Sequence, residues 1–276
     1  MLFRSIILGV AAWFMLPKET LLKAGTDTRK ANQEVIEGMK MTVRIPEIWM
    51  AGVVGFAVYL AYTSLPFFLT YLQDLHALPA LAIAAFGIIS TSGGRIGMAL
   101  PAGFLATRFF GGAAGGMRMG LFLVAACALI MTILPDEDSF TWPAMGVMCL
   151  LALFFFFMRA LYFAPFGEMG LPQRFSGSVM AIAAFLIYLP SSFAYLLWGF
   201  LLDSNPGLAG YQYMFGVLGL VAFLGGGVAL ILQRRIRGGI ADRIALQVSD
   251  IDSSLDLQGE EKTLSQLIDK SGGEAQ

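Results

Sequence analysis

The chain has 276 residues, 57% of them hydrophobic and only 13% charged, with a formal net charge of −1. A soluble domain carries roughly a quarter charged residues, so most of this surface must meet lipid instead of water. The scattered basic residues form no clustered face and exclude a nucleic-acid partner, and a single histidine, His76, excludes a His-rich metal or haem centre, so no metal or cofactor is expected.

In chain order, residues 1–16 form an apolar run too short to cross a membrane, with Arg4 near its start. It lacks the small-residue cleavage site of a signal peptide and reads as the end of a helix, a partial transmembrane segment. Residues 17–47 are polar and basic and read as a cytoplasmic loop, with an amphipathic helix expected near 31–43. A bilayer-crossing helix needs about 20 apolar residues. Six runs qualify within 48–237: Ile48–Tyr71, Leu81–Leu105, Met119–Leu134, Trp142–Phe163, Gly177–Leu202 and Tyr211–Leu232. The third is short and extends back toward Gly115. Residues 238–276 form a polar tail with a short helix expected at 263–269. Cys127 and Cys149 lie inside apolar runs and read as reduced packing residues.

Lys and Arg are retained on the cytoplasmic side of membranes. The connections 72–80, 135–141 and 203–210 carry none and hold Asp74, Asp136, Glu137, Asp138 and Asp203. The others hold Lys40, Arg44, Arg108, Arg118, Arg174, Arg234, Arg235, Arg237 and Arg243. Both ends of the six-helix unit are therefore expected in the cytoplasm. Trp49, Trp142 and Trp198 suit interfacial belts, and Pro66, Pro101 and Pro190 are expected to kink their helices. Gly93, Gly97, Ala99 and Gly103, and Gly216, Gly219 and Gly225 to Gly227, form small-residue stripes that let helices approach closely.

Charge inside a membrane is costly and marks function by default. Arg95 lies about ten residues, roughly 15 Å, from the end of its span. Arg159 is shallower and either snorkels or pairs with Glu168. On the first span Tyr59, Tyr62, Thr63, Pro66 and Thr70 share one helical face. On the second, Thr91, Gly94, Arg95 and Met98 do, and on the fifth Tyr188, Ser191, Ser192, Tyr195 and Trp198 nearly do. Interhelical hydrogen bonding would explain hydroxyls alone. An arginine at the same depth favours a cavity for a small solute. A guanidinium offers fork-like donors to carboxylate, phosphate or sulfonate, so an anionic organic solute is expected. The candidate solute-binding residues are Tyr59, Tyr62, Thr63, Thr91, Arg95, Arg159, Tyr162, Tyr188 and Ser191. His76 reads as a plain loop residue.

The tract Gly103-Phe104-Leu105-Ala106-Thr107-Arg108-Phe109-Phe110-Gly111-Gly112 resembles the cytoplasmic signature of the major facilitator superfamily. Gly103, Leu105, Ala106 and Arg108 match it; Thr107 replaces the family's acid and Phe110 its second glycine. Gly210 to Phe215 is similar to the usual start of the twelfth helix, and Arg159 to Ala164 with Glu168 and Pro172 resembles a subgroup of bacterial facilitators. The resemblance implies the second half of such a transporter: the end of helix six, the central loop, then helices seven to twelve. It implies an all-α fold, a polytopic six-helix bundle of two inverted three-helix repeats, preceded by the partial helix. It also implies a conformational latch at Gly103, Arg108 and Glu168, and a pathway completed by a missing N-terminal half or a second half-transporter chain. The expected function is secondary active transport of a small organic solute by alternating access. A membrane-embedded enzyme, for which Glu168 is the thin candidate, and a non-transporting scaffold are the alternatives.

Overall fold

The structure is a computed structural model, and it describes residues 38–39, 42–76, 78–171, 175–239, 242 and 246. The opening run, most of the first polar segment, Pro172, Arg174, Arg243 and nearly all of the tail lie outside the described residues. Every described element is helical: α1 Pro46–Thr63, α2 Phe67–His76, α3 Ala80–Ile88, α4 Gly94–Ala99, α5 Ala102–Phe110, α6 Ala113–Ile133, α7 Thr141–Leu161, α8 Ala164–Glu168, α9 Ser176–Tyr188, α10 Ala194–Ser204 and α11 Leu208–Arg237.

These combine into six helical stretches long and apolar enough to cross a membrane, among the described residues. The first span is Pro46–His76, the second Ala80–Ala99, the third α6, the fourth α7, the fifth Ser176–Ser204 and the sixth α11. Each predicted run lies on one of them. The third starts at Ala113, six residues before Met119, because Gly115, Gly116, Met117 and Gly120 are buried against neighbours and need no lipid-facing bulk. Helices suit this environment because a lipid-facing backbone must satisfy every N–H and C=O within its own segment.

Three spans are interrupted where a proline stands. The first breaks over Ser64–Pro66, α4 gives way to α5 at Leu100–Pro101, and the fifth tightens into a 3₁₀ turn at Leu189–Ser192. Proline lacks the N–H that would continue the ladder. The second span holds a further interruption, a π-turn at Ile89–Gly93. No proline marks it.

The first span is the hub. It packs against the fourth, fifth and sixth, while the third lies along the sixth. Phe68, Tyr71, Phe155, Phe166, Trp198 and Phe215 are among the largest fully buried side chains. Gly225 makes the sixth span's approach possible, since a Cβ there would stand 2.6 Å from Ala57 Cβ. Gly219 and Gly226 also face close neighbours. The stripe Gly93, Gly97 and Gly103 does not behave as expected: a Cβ at each would meet nothing within 4 Å. Gly94 is the close-packed residue instead, against the ring of Phe156.

Contacts between span ends define two ends of the bundle. At one, Tyr211 donates to Asp74 at 2.7 Å and Thr141 Oγ1 lies 2.9 Å from His76 Nδ1. At the other, Arg235 pairs with the buried Glu47 at 2.8 Å, and Gln233 Nε2 donates to the Phe110 carbonyl at 2.9 Å. His76 is thus not a loop residue. It ends α2, is buried, and stacks beside Tyr71. Trp198 is not a belt residue either. It is fully buried, whereas Trp49 and Trp142 are exposed as a belt requires. Cys127 and Cys149, on the third and fourth spans, are free thiols.

Candidate functional site

Burial is uneven among the spans. The apolar window of the first is 61% buried, against 17% for the second and 28% for the fifth. Those two carry exposed polar groups in their interiors: Ser92 and Arg95 on one, Ser191, Ser192 and Tyr195 on the other. Ser191 and Ser192 bond back to the Tyr188 and Leu189 carbonyls, but bare lipid would strand the charge of Arg95, so this face borders water or another protein surface.

Behind that face sits a cluster built from three spans. The fourth contributes Phe156 and Arg159, three residues apart on one side of α7, and the turn that follows it contributes Tyr162 and Phe163. The first contributes Tyr59 and Tyr62, and the fifth contributes Tyr188 at the end of α9. The Arg159 guanidinium lies 4.0 Å above the Tyr62 ring and 5.9 Å from that of Tyr59. Tyr162 and Tyr188 hydrogen-bond through their hydroxyls at 2.7 Å. Tyr59 meets Tyr188 edge-on at 5.0 Å, and Tyr62 meets Phe156 edge-on at 5.9 Å. A desolvated cation over an aromatic face gains about 2 kcal/mol. That contact holds Arg159 in place with no acid beside it. Its Nη1 is sealed from solvent and has no hydrogen-bond partner among the described residues.

The breaks in the helices gather beside this cluster. A pocket of about 230 Å³ is lined by Tyr62, Leu65, Pro66, Leu69, Gly87, Ser90, Thr91 and Tyr195. Its walls are the first-span break and the π-turn of the second span. π-Turns within helices are frequent at functional sites. Ser90 and Thr91 both donate their hydroxyls to the Gly87 carbonyl. A larger groove, about 490 Å³, runs between the third and sixth spans on the opposite side. Thr132 is the one polar side chain in its wall. It suits acyl chains and offers a solute almost nothing to bond.

The predicted residues divide accordingly. Tyr59, Tyr62, Arg159, Tyr162 and Tyr188 form the cluster, and Thr91 lines the pocket. Ser191 is exposed beside it and donates to the Tyr188 carbonyl. Arg95 is exposed on the open face, 5.7 Å from the far side's Phe156 ring. Of the two arginines Arg159 is the more buried: it is half-buried, whereas Arg95 is exposed. Depth along a helix located Arg95, but only neighbouring helices decide which arginine is the more buried.

Thr63 does not join the site. It is buried, donates to the Leu60 carbonyl and accepts from Trp198 Nε1 at 2.9 Å. Interhelical packing accounts for it. Thr63→Val is expected to strand the Trp198 N–H and lower unfolding stability by about 1–2 kcal/mol. Denaturant unfolding in mild detergent checks this, with solute binding unchanged.

The latch residues separate too. Gly103 and Arg108 are exposed and touch little. Thr107 bonds back to the Gly103 and Phe104 carbonyls. Glu168 makes no ion pair with Arg159. Its carboxylate instead accepts the backbone N–H groups of Ala113 and Ala114, at the start of α6. Those N–H groups have no partner within the helix, and the positive dipole end favours an anion there. The approach depends on Gly112, whose φ of 115° disfavours other residues and whose missing Cβ leaves room for the carboxylate. Glu168→Ala is expected to cost about 1 kcal/mol in unfolding stability, and Glu168→Gln less, because its amide oxygen still accepts. Equal losses for the two would show that the cap contributes nothing. Phe156, Phe163 and the π-turn were missed from the sequence. Phe156 at three residues before Arg159 was the available signal.

Against known proteins, the chain is 28% identical over 245 residues to the inner membrane protein YihN of Escherichia coli strain K12, covering 84% of this chain and 55% of that protein. It is 24% identical over 221 residues to the inner membrane protein YqcE of the same strain, covering 79% of this chain and 51% of that protein. The chain thus spans about half the length of the curated relatives it matches. No family model matches it, and no solved structure does.

Proposed function

We propose that this chain forms half of a secondary transporter of the major facilitator type, which moves a small organic solute across the inner membrane by alternating access. The observation that carries the proposal is the half-buried Arg159–tyrosine cluster, with Nη1 of Arg159 shielded from solvent, set beside three helix interruptions on a face the bundle leaves open. Non-helical backbone at membrane depth is tolerated where it is buried in protein or lines a cavity, and transporters place broken helices at their midplane sites. The open face belongs to the second and fifth spans, the eighth and eleventh helices of the superfamily scheme, which border its central cavity. The relatives are inner membrane proteins of about twice this length, consistent with a second bundle closing that face. The basic connections orient both ends of the bundle to the cytoplasm. Arg159 favours an anionic solute, and the chemistry is binding and release without catalysis.

Inner-membrane vesicles from cells expressing the gene of this chain test the proposal. Preloaded with an unlabelled organic acid, they are expected to accumulate the labelled acid by counterflow above control vesicles. Accumulation equal to controls across a panel of organic acids and sugars would sink it.

A further inference from the structure

We infer that the solute is a monoanion with a flat, unsaturated body: a carboxylate or sulfonate head that replaces Tyr62 as the partner of Arg159, attached to a single ring or comparable plane. The inference rests on the reading of this cluster as the solute site.

The head follows from Arg159. Its Nη1 is desolvated and unpartnered, and the guanidinium carbon rests 4.0 Å above the Tyr62 ring. A buried charged donor without an acceptor is costly. The aromatic face compensates the charge but gives the N–H group no acceptor oxygen. An anionic oxygen supplies both the counter-charge and the missing hydrogen bond. Because Nη1 is covered in this state, the guanidinium must turn off the Tyr62 face as the head arrives. The Tyr162–Tyr188 pair adds one donor: of its two hydroxyls one hydrogen links the pair, and the other is free for the head's second oxygen.

One charge follows from the count of bases within reach. Among the described residues the cluster holds a single cation. Arg95 is the next, but the Phe156 ring stands between, 5.7 Å from Arg95 and 5.9 Å from Tyr62. A compact dianion would carry a second negative charge into the aromatic wall. Ring faces repel negative charge, because their quadrupole is negative there.

The flat body follows from the walls. Tyr59 and Tyr62 present their rings to the guanidinium, and Phe156 and Tyr188 pack edge-on against those two rings. Tyr62 also lines the 230 Å³ pocket, together with Leu69 and Tyr195. The share of the site that this half supplies therefore lies below the roughly 300–1,000 Å³ of drug-sized sites, room for a single ring.

The test is equilibrium binding to the purified chain in lipid nanodiscs, by titration calorimetry. The probes are benzoate, acetate, benzamide and terephthalate, which separate ring from charge and one charge from two. Benzoate is expected to bind at least tenfold tighter than each of the others. Arg159→Gln is expected to erase the preference for benzoate over benzamide, and Arg95→Gln to keep it. Leu69→Phe, which narrows the pocket without touching Arg159, is expected to weaken benzoate by about tenfold and leave acetate unchanged. The thermal melting of each variant, matched to the parent, separates lost binding from lost folding; Arg159→Lys, which keeps the charge without the fork, serves if the glutamine variant melts early, and is expected to narrow the preference. Benzamide binding as tightly as benzoate, terephthalate binding tighter, the preference lost in Arg95→Gln but kept in the Arg159 variants, or no probe binding would each overturn the inference. Transport of a solute without this ligand preference overturns the inference alone. The preference without transport of any bound probe overturns the transporter reading alone.

Discussion

Arg159→Gln is expected to reduce solute counterflow on the order of a hundredfold, and Arg95→Gln less than about tenfold. A hydrogen bond to a charged group contributes about 1.5–3 kcal/mol, roughly a factor of 10 to 150 in affinity or rate. Arg159 is half-buried among tyrosines with its Nη1 shielded from solvent, so the upper part of that range applies to it. Arg95 is exposed on the open face. Water screens its charge and competes for its donors, and its loss removes mainly long-range attraction. Glutamine is chosen because it keeps a polar side chain of similar reach, so a folding defect is a smaller risk than with leucine. The measurement is initial counterflow rate in vesicles of matched protein content. Equal losses at the two positions would show that burial in this half does not rank them.

Gly115→Val is expected to lower unfolding stability by more than about 3 kcal/mol, the upper end of ordinary overpacking. A Cβ at Gly115 would collide with the backbone carbonyl oxygen of Phe110 and with Gln233 Nε2. Side-chain rotation relieves neither clash, because one partner is backbone and the other is fixed to that same carbonyl at 2.9 Å. The turn between α5 and α6 has no slack. Gly111 and Gly112 already take φ values of 70° and 115°, and Glu168 holds the start of α6 from the other side. Relief must therefore move the third span away from the second or detach the end of the sixth. Gly146→Ala is the control. A Cβ there meets nothing within 4 Å, so a small gain of helix propensity, up to about 1 kcal/mol, is expected. Denaturant unfolding in detergent reads both. A wild-type midpoint for Gly115→Val would refute the tight turn.

The Glu168 cap and the Arg159 cluster lie on one stretch of chain. Glu168 follows Arg159 by nine residues on the same short stretch of chain, and the two are joined through Tyr162, Phe163 and α8. One end of that stretch caps the third span, while the other carries the half-buried guanidinium.

Particular residues show where sequence reasoning reached and where it stopped. Runs of about 20 apolar residues located every span, and Pro66, Pro101 and Pro190 marked breaks that the structure contains. These features are local. In lipid each segment must satisfy its own backbone hydrogen bonds, so a stretch of sequence dictates its own helix whatever its neighbours do. Helical spacing also set Tyr59 and Tyr62 on one face. It set Thr63 on that face too, and there it failed. Thr63 is bonded to Trp198, 135 residues away. His76 and Glu168 failed the same way, one bonded to Thr141 and the other to the start of α6. The greater burial of Arg159 than of Arg95 likewise depended on which rings other spans brought to it. Single sequences give each helix its polar direction, but not its rotation, tilt or partner. Those are chosen by many small terms, near 0.6 kcal/mol for an average interhelical hydrogen bond, and by close fits such as Gly225 on Ala57. Only the assembled bundle sums them.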